Sequence, residues 1–530
     1  MVILQNLSYS HPNKDLLFDD INLAVNPHQK VALIGNNGVG KSTLLKLISG
    51  QIEPFSGNLT VDSQAYYIPQ IFGQFNQLTI AEALGIAEKI NAFYEILDGN
   101  ATDQNMLLLN DDWTIEERCK EALQYWQLEE YGLTQKLEML SGGQRTKVFL
   151  AGIAVHQPDL VLLDEPSNHL DSASRELLNN FVSSTTKTVI VVSHDRKLLN
   201  LVDAVCELSR KGVTLYGGNY DFYAEQKQLE QHALLLDVKS KEKALRKAKE
   251  KERETLERQQ KLDSRGKKKQ EKSGMATIMM NTLRNNAEKS TSKIKSIHNE
   301  KIGGISKELH QLRNELPDLD KIKFGFDNAT LHKGKVLVNA MDINYSYSDN
   351  TPIWNSNLTF QITSGERISL KGSNGSGKTT LIELILGELL PTAGNIFIAD
   401  SNAVFIDQDY SLIANHLDVY SQAERFNTSA LKEHEIKIRL NRFLFPKEDW
   451  DKPCQALSGG ERMRLLLCCL TISSQAPDMI ILDEPTNNLD IQNIEILTAA
   501  ILDYEGTLVV VSHDDYFLEQ VKVDRTLKLS

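Results

Sequence analysis

Two lysines in this sequence stand where a positive charge can hold phosphate. The run GNNGVGKST covers Gly35, Asn36, Asn37, Gly38, Val39, Gly40, Lys41, Ser42 and Thr43. A second run, GSNGSGKTT, covers Gly372, Ser373, Asn374, Gly375, Ser376, Gly377, Lys378, Thr379 and Thr380. Both fit G-x4-G-K-[S/T], in which glycines let the backbone fold tightly enough to aim several N–H groups at phosphate oxygens. The helix expected after each loop adds its positive N-terminal end. Lys41 and Lys378 then place a point charge near the β- and γ-phosphates, and Ser42 and Thr379 offer a hydroxyl to Mg2+. A glycine turn with a chance lysine is the plain alternative. Two copies, each between a strand-like run and a helical pattern, argue against it.

Carboxylates follow at the ends of apolar runs, LVLLDEP and MIILDEP. A buried strand ending there delivers Asp164 and Asp483 to the metal and Glu165 and Glu484 to an attacking water. An isolated Asp-Glu pair is commonly a solvated turn, but four apolar residues stand ahead of each pair here. VIVVSHD and LVVVSHD bring His194 and His513 to equivalent places. A lone histidine is more often structural; its recurrence points to a γ-phosphate contact. Gln70 (YYIPQ) and Gln408 (VFIDQ) lie between the glycine loops and the acidic motifs and suit a Mg2+ or water contact.

These motifs recur in the same order, so one chain carries the same domain twice, at about 1–222 and 338–530. Short β-branched runs alternate with helical patterns in each copy, which predicts an α/β fold with a largely parallel sheet covered by helices. With 530 residues, 41% hydrophobic and 24% charged, the chain has material for more than one core. Its net charge of −13 predicts solubility and disfavours nucleic acid as a partner for the whole surface. The five cysteines show neither metal-ligand nor disulfide spacing and read as small buried hydrophobes of a reducing compartment. The first residues read as a strand, with no signal-peptide pattern, and no apolar run approaches bilayer length. A cytoplasmic protein is expected.

LSGGQ at Leu140 and LSGGE at Leu457, together with these loops, carboxylates and histidines, resemble ATP-binding cassettes across both domains. The resemblance implies two P-loop NTPase domains facing head to tail around two ATP molecules, closing on triphosphate and opening after hydrolysis. By it, Ser141, Gly142 and Gly143 complete the site opened by Lys378, and Ser458, Gly459 and Gly460 the one opened by Lys41. A Ser-Gly-Gly turn opening a helix is itself an anion-binding terminus. The family's adenine-stacking aromatic corresponds to Tyr347 in the second copy, whereas the first has His11 there, with Tyr9 nearby. No catalytic residue is missing from either half, so two active sites are expected.

Between the copies, residues 223–337 lose the strand–helix alternation and read as a helical hairpin. Ile302, Ile305, Leu309, Leu312 and Leu316 follow the 3-4 spacing of a coiled-coil seam. LDSRGKKKQEKSGM, with two glycines and a charge run, suggests the turn. From Lys261 to Lys295 ten basic residues face three acidic ones, about +7 within an acidic chain. A basic hairpin between two cassettes resembles the ABC-F family, whose members bind the ribosomal exit (E) site and reach P-site tRNA with this linker. The resemblance makes Lys267, Lys268, Lys269, Lys272 and Arg284 candidates for RNA phosphate contacts, and it leaves open ribosome protection against antibiotics. No aromatic residue suited to base stacking stands at this tip, so backbone contact is expected. Residues 83–125 occupy the place of the family's arm insertion, here short and not basic, and no tail extension is expected after the last strand. A cassette dimer within one chain implies a monomer. The competing reading is the motor subunit of a membrane transporter. An iron–sulfur recycling cassette lacks its cysteine-rich segment here. A chromosome-structuring ATPase would carry its coiled coil inside a cassette.

Overall fold

The computed structural model describes residues 1–10, 16–70, 73–209, 212–271, 277–315, 332–347, 351–473 and 475–529, with backbone alone at 263, 266–271, 277–291, 294 and 314–315. The chain divides into two compact units, Met1–Tyr223 with Ile322–Ser530, and Ala224–Lys321. The first unit holds both cassettes.

In the first cassette β1 (Val2–Ser10), β2 (Leu16–Val25), β3 (Lys30–Ile34), β4 (Ser56–Val61), β5 (Ala65–Ile68), β6 (Leu160–Asp164), β7 (Thr188–Val192), β8 (Ala204–Ser209) and β9 (Gly212–Tyr216) form two sheets. An antiparallel sheet runs β2-β1-β4; the central sheet runs β5-β6-β7-β3-β8-β9 and is parallel except for the β8–β9 pair. The second cassette repeats this with β10 (Val336–Asn344), β11 (Leu358–Thr363), β12 (Arg367–Lys371), β13 (Ala393–Ile398), β14 (Ala403–Ile406), β15 (Met479–Asp483), β16 (Thr507–Val511) and β17 (Arg525–Lys528). Its sheets run β11-β10-β13 and β14-β15-β16-β12-β17, the latter all parallel. LVLLD, TVIVV and TLVVV are buried at every position, as strands covered on both faces must be. Pairing aligns Asp164 with Val192 and Asp483 with Val511, at the carboxyl ends of the central strands. Open α/β sheets bind ligands at that edge.

The helices of the first cassette are α1 (Lys41–Ile48), α2 (Ile80–Ala83), α3 (Ala87–Leu97), α4 (Asp103–Leu109), α5 (Ile115–Tyr125), α6 (Gly142–His156), α7 (Ser172–Ser184) and α8 (Arg196–Leu199). Apolar residues of both sheets meet α1 in one core, where Phe18, Ile21, Leu162 and Ile190 pack with Leu44 and Leu45. The predicted insertion at 83–125 is the α3–α5 layer. Its turn is fixed by Asp112, whose carboxylate accepts from Lys89 Nζ at 3.1 Å and from Arg118 Nη1 at 2.7 Å. The Arg118 guanidinium and the Lys89 ammonium hold this carboxyl down at about 2.

Two long helices, α9 (Tyr220–Glu271) and α10 (Thr277–Glu315), make up the second unit. Along α10, Ile302, Ile305 and Leu312 are half-buried and Leu309 is buried, which is the predicted seam; Leu316 lies outside the described residues. On α9, Val238 is buried and Leu245 and Ala248 are half-buried at the complementary spacing. Lys241–Glu308 and Glu242–Arg313 ion pairs bind the two helices together. The predicted turn is corrected in one respect: Gly266 lies inside α9. A single interior glycine costs about 1 kcal/mol of helix propensity, and its Lys, Arg and Gln neighbours are strong helix formers. α9 ends at Glu271 and α10 begins at Thr277, and the rest of the predicted turn, 272–276, lies outside the described residues.

The second cassette's helices are α11 (Lys378–Leu386), α12 (Val419–Arg425), α13 (Glu433–Arg442), α14 (Gly459–Ile472), α15 (Ile491–Asp503) and α16 (Asp515–Gln520). Its core gathers Trp354, Ile368, Leu381, Ile481 and Val509. All five cysteines are free and buried. Among the described residues no helix is long and apolar enough to cross a membrane.

Replacing Asp112 by Ala should lower stability by about 1 kcal/mol near neutral pH, since two charged donors lose their acceptor. Because the folded carboxyl titrates below its unfolded value, the difference should be full above about pH 4 and fade towards pH 2. Denaturant melts of both proteins across that range read it.

Candidate active sites

Each phosphate loop leaves the carboxyl end of a central strand and turns through left-handed glycines. Gly38 has φ 79° and Gly40 φ 104° in the first loop; Gly375 has 81° and Gly377 83° in the second. A methyl group on Gly40 would sit 2.7 Å from the Leu17 side chain, and one on Gly377 would sit 2.6 Å from Ile353. Trp354 Nε1 donates to Ser376 O at 3.0 Å, so the second loop is pinned directly to its core. Lys41 Nζ donates to Gly35 O at 2.7 Å and Asn36 O at 3.3 Å. Lys378 Nζ does the same with Gly372 O and Ser373 O, both at 2.9 Å. Burial lowers the pKa of both ammonium groups, opposed by the Glu165 and Glu484 carboxylates respectively.

β6 and β15 deliver the carboxylates as expected. Asp164 is buried; its Oδ2 accepts from Tyr67 Oη at 3.0 Å, its Oδ1 has no hydrogen-bond partner within 3.5 Å among the described residues, and burial raises the carboxyl against the opposing Ser42 hydroxyl. Glu165 and Glu484 both stand in the left-handed region, at φ 51° and 46°, held by N–H bonds of 2.8 Å to Val192 O and Val511 O. His194 Nε2 lies 3.1 Å from Glu165 Oε1, and His513 Nε2 lies 3.5 Å from Glu484 Oε1. Burial pushes Glu165 up to about 8 and Glu484 up to about 7. Burial, reinforced by the nearby lysine ammonium, drives His194 down to about 3 and His513 down to about 4. The imidazoles are therefore neutral donor–acceptors at pH 7, while the same burial keeps much of each glutamate protonated there and makes its ionised form a stronger base than an exposed carboxylate.

The cassettes face each other. One cavity of about 1040 Å³ is lined by Asn37, Gly38, Gly40, Lys41, Ser42, Thr43, Gln70, Asp164, Glu165 and His194 from the first cassette, and by Gly459, Asn487 and Asn488 from the second. The Asn37 N–H donates to Asp490 Oδ2 at 2.8 Å, and Asn37 Nδ2 donates to Asn488 O at 3.1 Å. At the other site Asn374 Nδ2 donates to His169 O at 3.2 Å. A methyl on Gly143 would lie 3.3 Å from Asn374 Nδ2, so the first signature turn abuts the second loop. Ser141 and Ser458 each cap their signature helix, accepting from the N–H of Gln144 and Glu461 at 3.3 Å.

Some placements are not those the repeat suggests. Gln408 lines the cavity of the first loop together with Gln70, so the repeat alone does not put it beside Thr379 and Asp483. Tyr347 stands beside the second loop, its hydroxyl 2.9 Å from Thr380 Oγ1 and its ring 68% exposed. In the first cassette Leu17 lines the cavity; His11 lies outside the described residues. Sequence reasoning passed over Arg462, which follows the second signature motif and enters this cavity, donating to Asn415 Oδ1 at 2.6 Å. Its repeat partner Arg145 instead donates from Nε to Leu137 O and Leu140 O, both at 2.9 Å. An arginine after both motifs was the available signal; only packing separates the two. Of the linker candidates, Lys272 lies outside the described residues. Lys267, Lys268 and Lys269 fall on α9 and Arg284 on α10, where backbone alone is described.

The ABC transporter family model matches residues 18–168 and again 355–487, which together are more than half of the chain. The chain belongs to the ABC-F family of ATP-binding cassette proteins. It is 31% identical to the ATP-binding protein YdiF of Bacillus subtilis, over 100% of this chain and 80% of that protein. ABC transporter F family member 5 of Arabidopsis thaliana is 27% identical over 100% of this chain and 75% of its own. The energy-dependent translational throttle protein EttA of Haemophilus influenzae is 28% identical, over 96% of this chain and 88% of its own. Among solved structures, an archaeal ribosome recycling factor aABCE1, in complex with a ribosomal stalk protein, aligns with a TM-score of 0.61 at 19% identity, over 99% of this chain and 87% of that one. That likeness is one of fold. As an ABC-F protein the chain is an ATPase with two ATP-binding cassettes.

Gly40→Ala should abolish nucleotide binding at the first loop, because it meets both a forbidden φ and Leu17. Gly38→Ala, with nothing within 4 Å of its added methyl, should weaken it less. Fluorescent ATP-analogue titrations of the two variants, in a Lys378→Ala background, make the comparison.

Proposed function

We propose that this chain is an ATP-driven translation factor that binds the ribosome with its cassettes closed on ATP and leaves after hydrolysis. The observation that carries the reading is the shared cavity. Lys41, Glu165 and His194 come from one cassette and Gly459 from the other, so a bound triphosphate would join both halves. ABC-F membership supports a ribosomal partner, and EttA is by name a translational throttle. In this reading the hairpin approaches P-site tRNA from the exit site, and Lys267, Lys268, Lys269, Lys272 and Arg284 meet RNA phosphates.

The loop amides and Lys41 or Lys378 bind the β- and γ-phosphates, and the signature turns at Ser458–Gly460 and Ser141–Gly143 close over the γ-phosphate. Glu165 or Glu484 orients a water and accepts its proton as it attacks. His194 or His513, neutral at working pH, donates to the γ-phosphate and keeps the carboxylate in line. The donor set fits Mg2+: hard oxygens from Ser42 and Asp164, and from Thr379 and Asp483, with Asp164 Oδ1 buried and without a hydrogen-bond partner among the described residues. Gln70 and Gln408 would hold water near it. When bound, the ion would neutralise charge on the β- and γ-phosphates. Closing the cassettes excludes bulk water from this chemistry.

Replacing Glu165 and Glu484 together by Gln should slow hydrolysis at least a hundredfold and leave a protein that co-sediments with ribosomes in ATP but not in ADP. Recovery of that variant with membranes instead, in either nucleotide, would support a transporter motor and sink the ribosomal reading. On the same variant, alanine at Lys267, Lys268, Lys269 and Lys272 should weaken ribosome binding, and make it less salt-sensitive, without changing ATP affinity. Unaltered ribosome binding by that protein would remove the hairpin tip from the proposal.

A further inference from the structure

The two sites repeat in sequence but differ in what crosses the cassette interface to reach their histidines. Ser172 is the first residue of α7, directly after Asp171, which caps that helix. Its Oγ lies 3.0 Å from Nδ1 of His513 in the opposite cassette. Arg175, one turn along α7, lies with Ser172, Asp195 and His513 in a cavity of about 360 Å³. A Lys197–Asp515 ion pair of 2.6 Å ties the segments that follow the two histidines. The same positions at the start of α15 are Ile491 and Ile494, neither of which can hydrogen-bond through its side chain. His194 Nδ1 is buried and has no hydrogen-bond partner among the described residues.

We infer that Ser172 is a trans-acting positioning residue for the second site, and that hydrolysis there depends on cassette closure in a way that hydrolysis at the first site does not. The imidazole of His513 is neutral, so its single ring proton has two possible places. Nε2 stands 3.5 Å from Glu484 Oε1 and makes no hydrogen bond among the described residues, so it is free to carry the proton towards the ligand side, and the serine hydroxyl then donates to Nδ1. That bond fixes the ring plane and leaves Nε2–H aimed at the carboxylate and the γ-phosphate. Its two ends belong to different cassettes, so it forms only when they meet. At the first site the corresponding interface residue is isoleucine, and His194 Nδ1 has no such partner among the described residues. The repeat thus presents a hydroxyl to the histidine on one side only; on the other, the charged pair that crosses the interface is Arg196 with Glu495, at 4.0 Å, and it does not involve the histidine.

The inference rests on Glu165 and Glu484 being the hydrolytic carboxylates, and the test separates the two. In the full chain, Glu165→Gln leaves turnover to the second site and Glu484→Gln leaves it to the first. Ser172→Ala should lower kcat about tenfold in the Glu165→Gln protein with KM for ATP little changed, as loss of one orienting hydrogen bond predicts. In the Glu484→Gln protein it should change neither. Ser172→Thr, which keeps the hydroxyl, should restore the rate. Alanine is well tolerated at the first position of a helix, so these variants fold. An equal fall in both backgrounds, no fall in the Glu165→Gln protein, or a threonine no better than alanine would overturn the inference. Undiminished turnover by the Glu165→Gln, Glu484→Gln protein would instead remove the carboxylate assignment, and the inference with it.

Discussion

The proposed reaction depends on one constraint: a phosphate loop gathers N–H groups and one lysine on a single side of a triphosphate, so the γ-phosphate needs donors from the other side. In the proposed closed state the opposing signature helix would supply them, because of how it is capped. The Ser458 hydroxyl and the Glu461 carboxylate satisfy each other's backbone N–H groups, as Ser141 and Gln144 do in the first cassette. Those bonds use the N-cap and N3 amides and leave those of Gly459 and Gly460, or Gly142 and Gly143, facing outward. Two uncommitted N–H groups at a positive helix end hold an anion without a side chain, which explains why glycines stand there.

The catalytic edge of each sheet stores strain to meet that geometry. Glu165 and Glu484 adopt left-handed backbone that costs a non-glycine residue on the order of 1 kcal/mol, and both are held in it by a bond to the neighbouring strand. Fully buried parallel strands on either side can carry such a cost. The same rigidity raises the carboxyl pKa values, because burial that fixes the residue also strips its water. Position and basicity therefore come from one cause.

Much of this was legible in the residues. The glycine loops, the carboxylates after four apolar residues and the doubled Ser-His-Asp are local patterns, and each took the predicted place on a strand end or a helix start. The helix seam at Ile302, Ile305 and Leu309 was equally local. What escaped depends on neighbours distant in sequence. Gln408 lines the cavity at the first loop, beside residues of the opposite cassette, and nothing in its local pattern says so. Arg145 and Arg462 occupy identical motif positions, and whether the guanidinium turns to nearby carbonyls or to Asn415 at the cavity wall is decided by tertiary packing. Gly266 was misread because a glycine beside a charge run suggests a turn, while the helix formers around it outweigh that single residue.

Duplication within one chain gives these differences their meaning. Two identical subunits would present the same residue to both sites, so a change helpful at one would be imposed on the other. Here Ser172 and Arg175 hold the positions that Ile491 and Ile494 hold in the second copy, and His169 that of Asn488. The backbone carbonyls of His169 and Asn488 both accept from the asparagine of the opposite phosphate loop, but only Asn488 adds a side-chain bond, its Oδ1 accepting from Asn168 Nδ2 at 3.3 Å. Each copy has kept its loop lysine, Asp-Glu pair and histidine, while residues facing the other cassette have parted. Under the inference drawn above, inequivalence confined to that layer would alter the timing of two similar reactions without altering their chemistry.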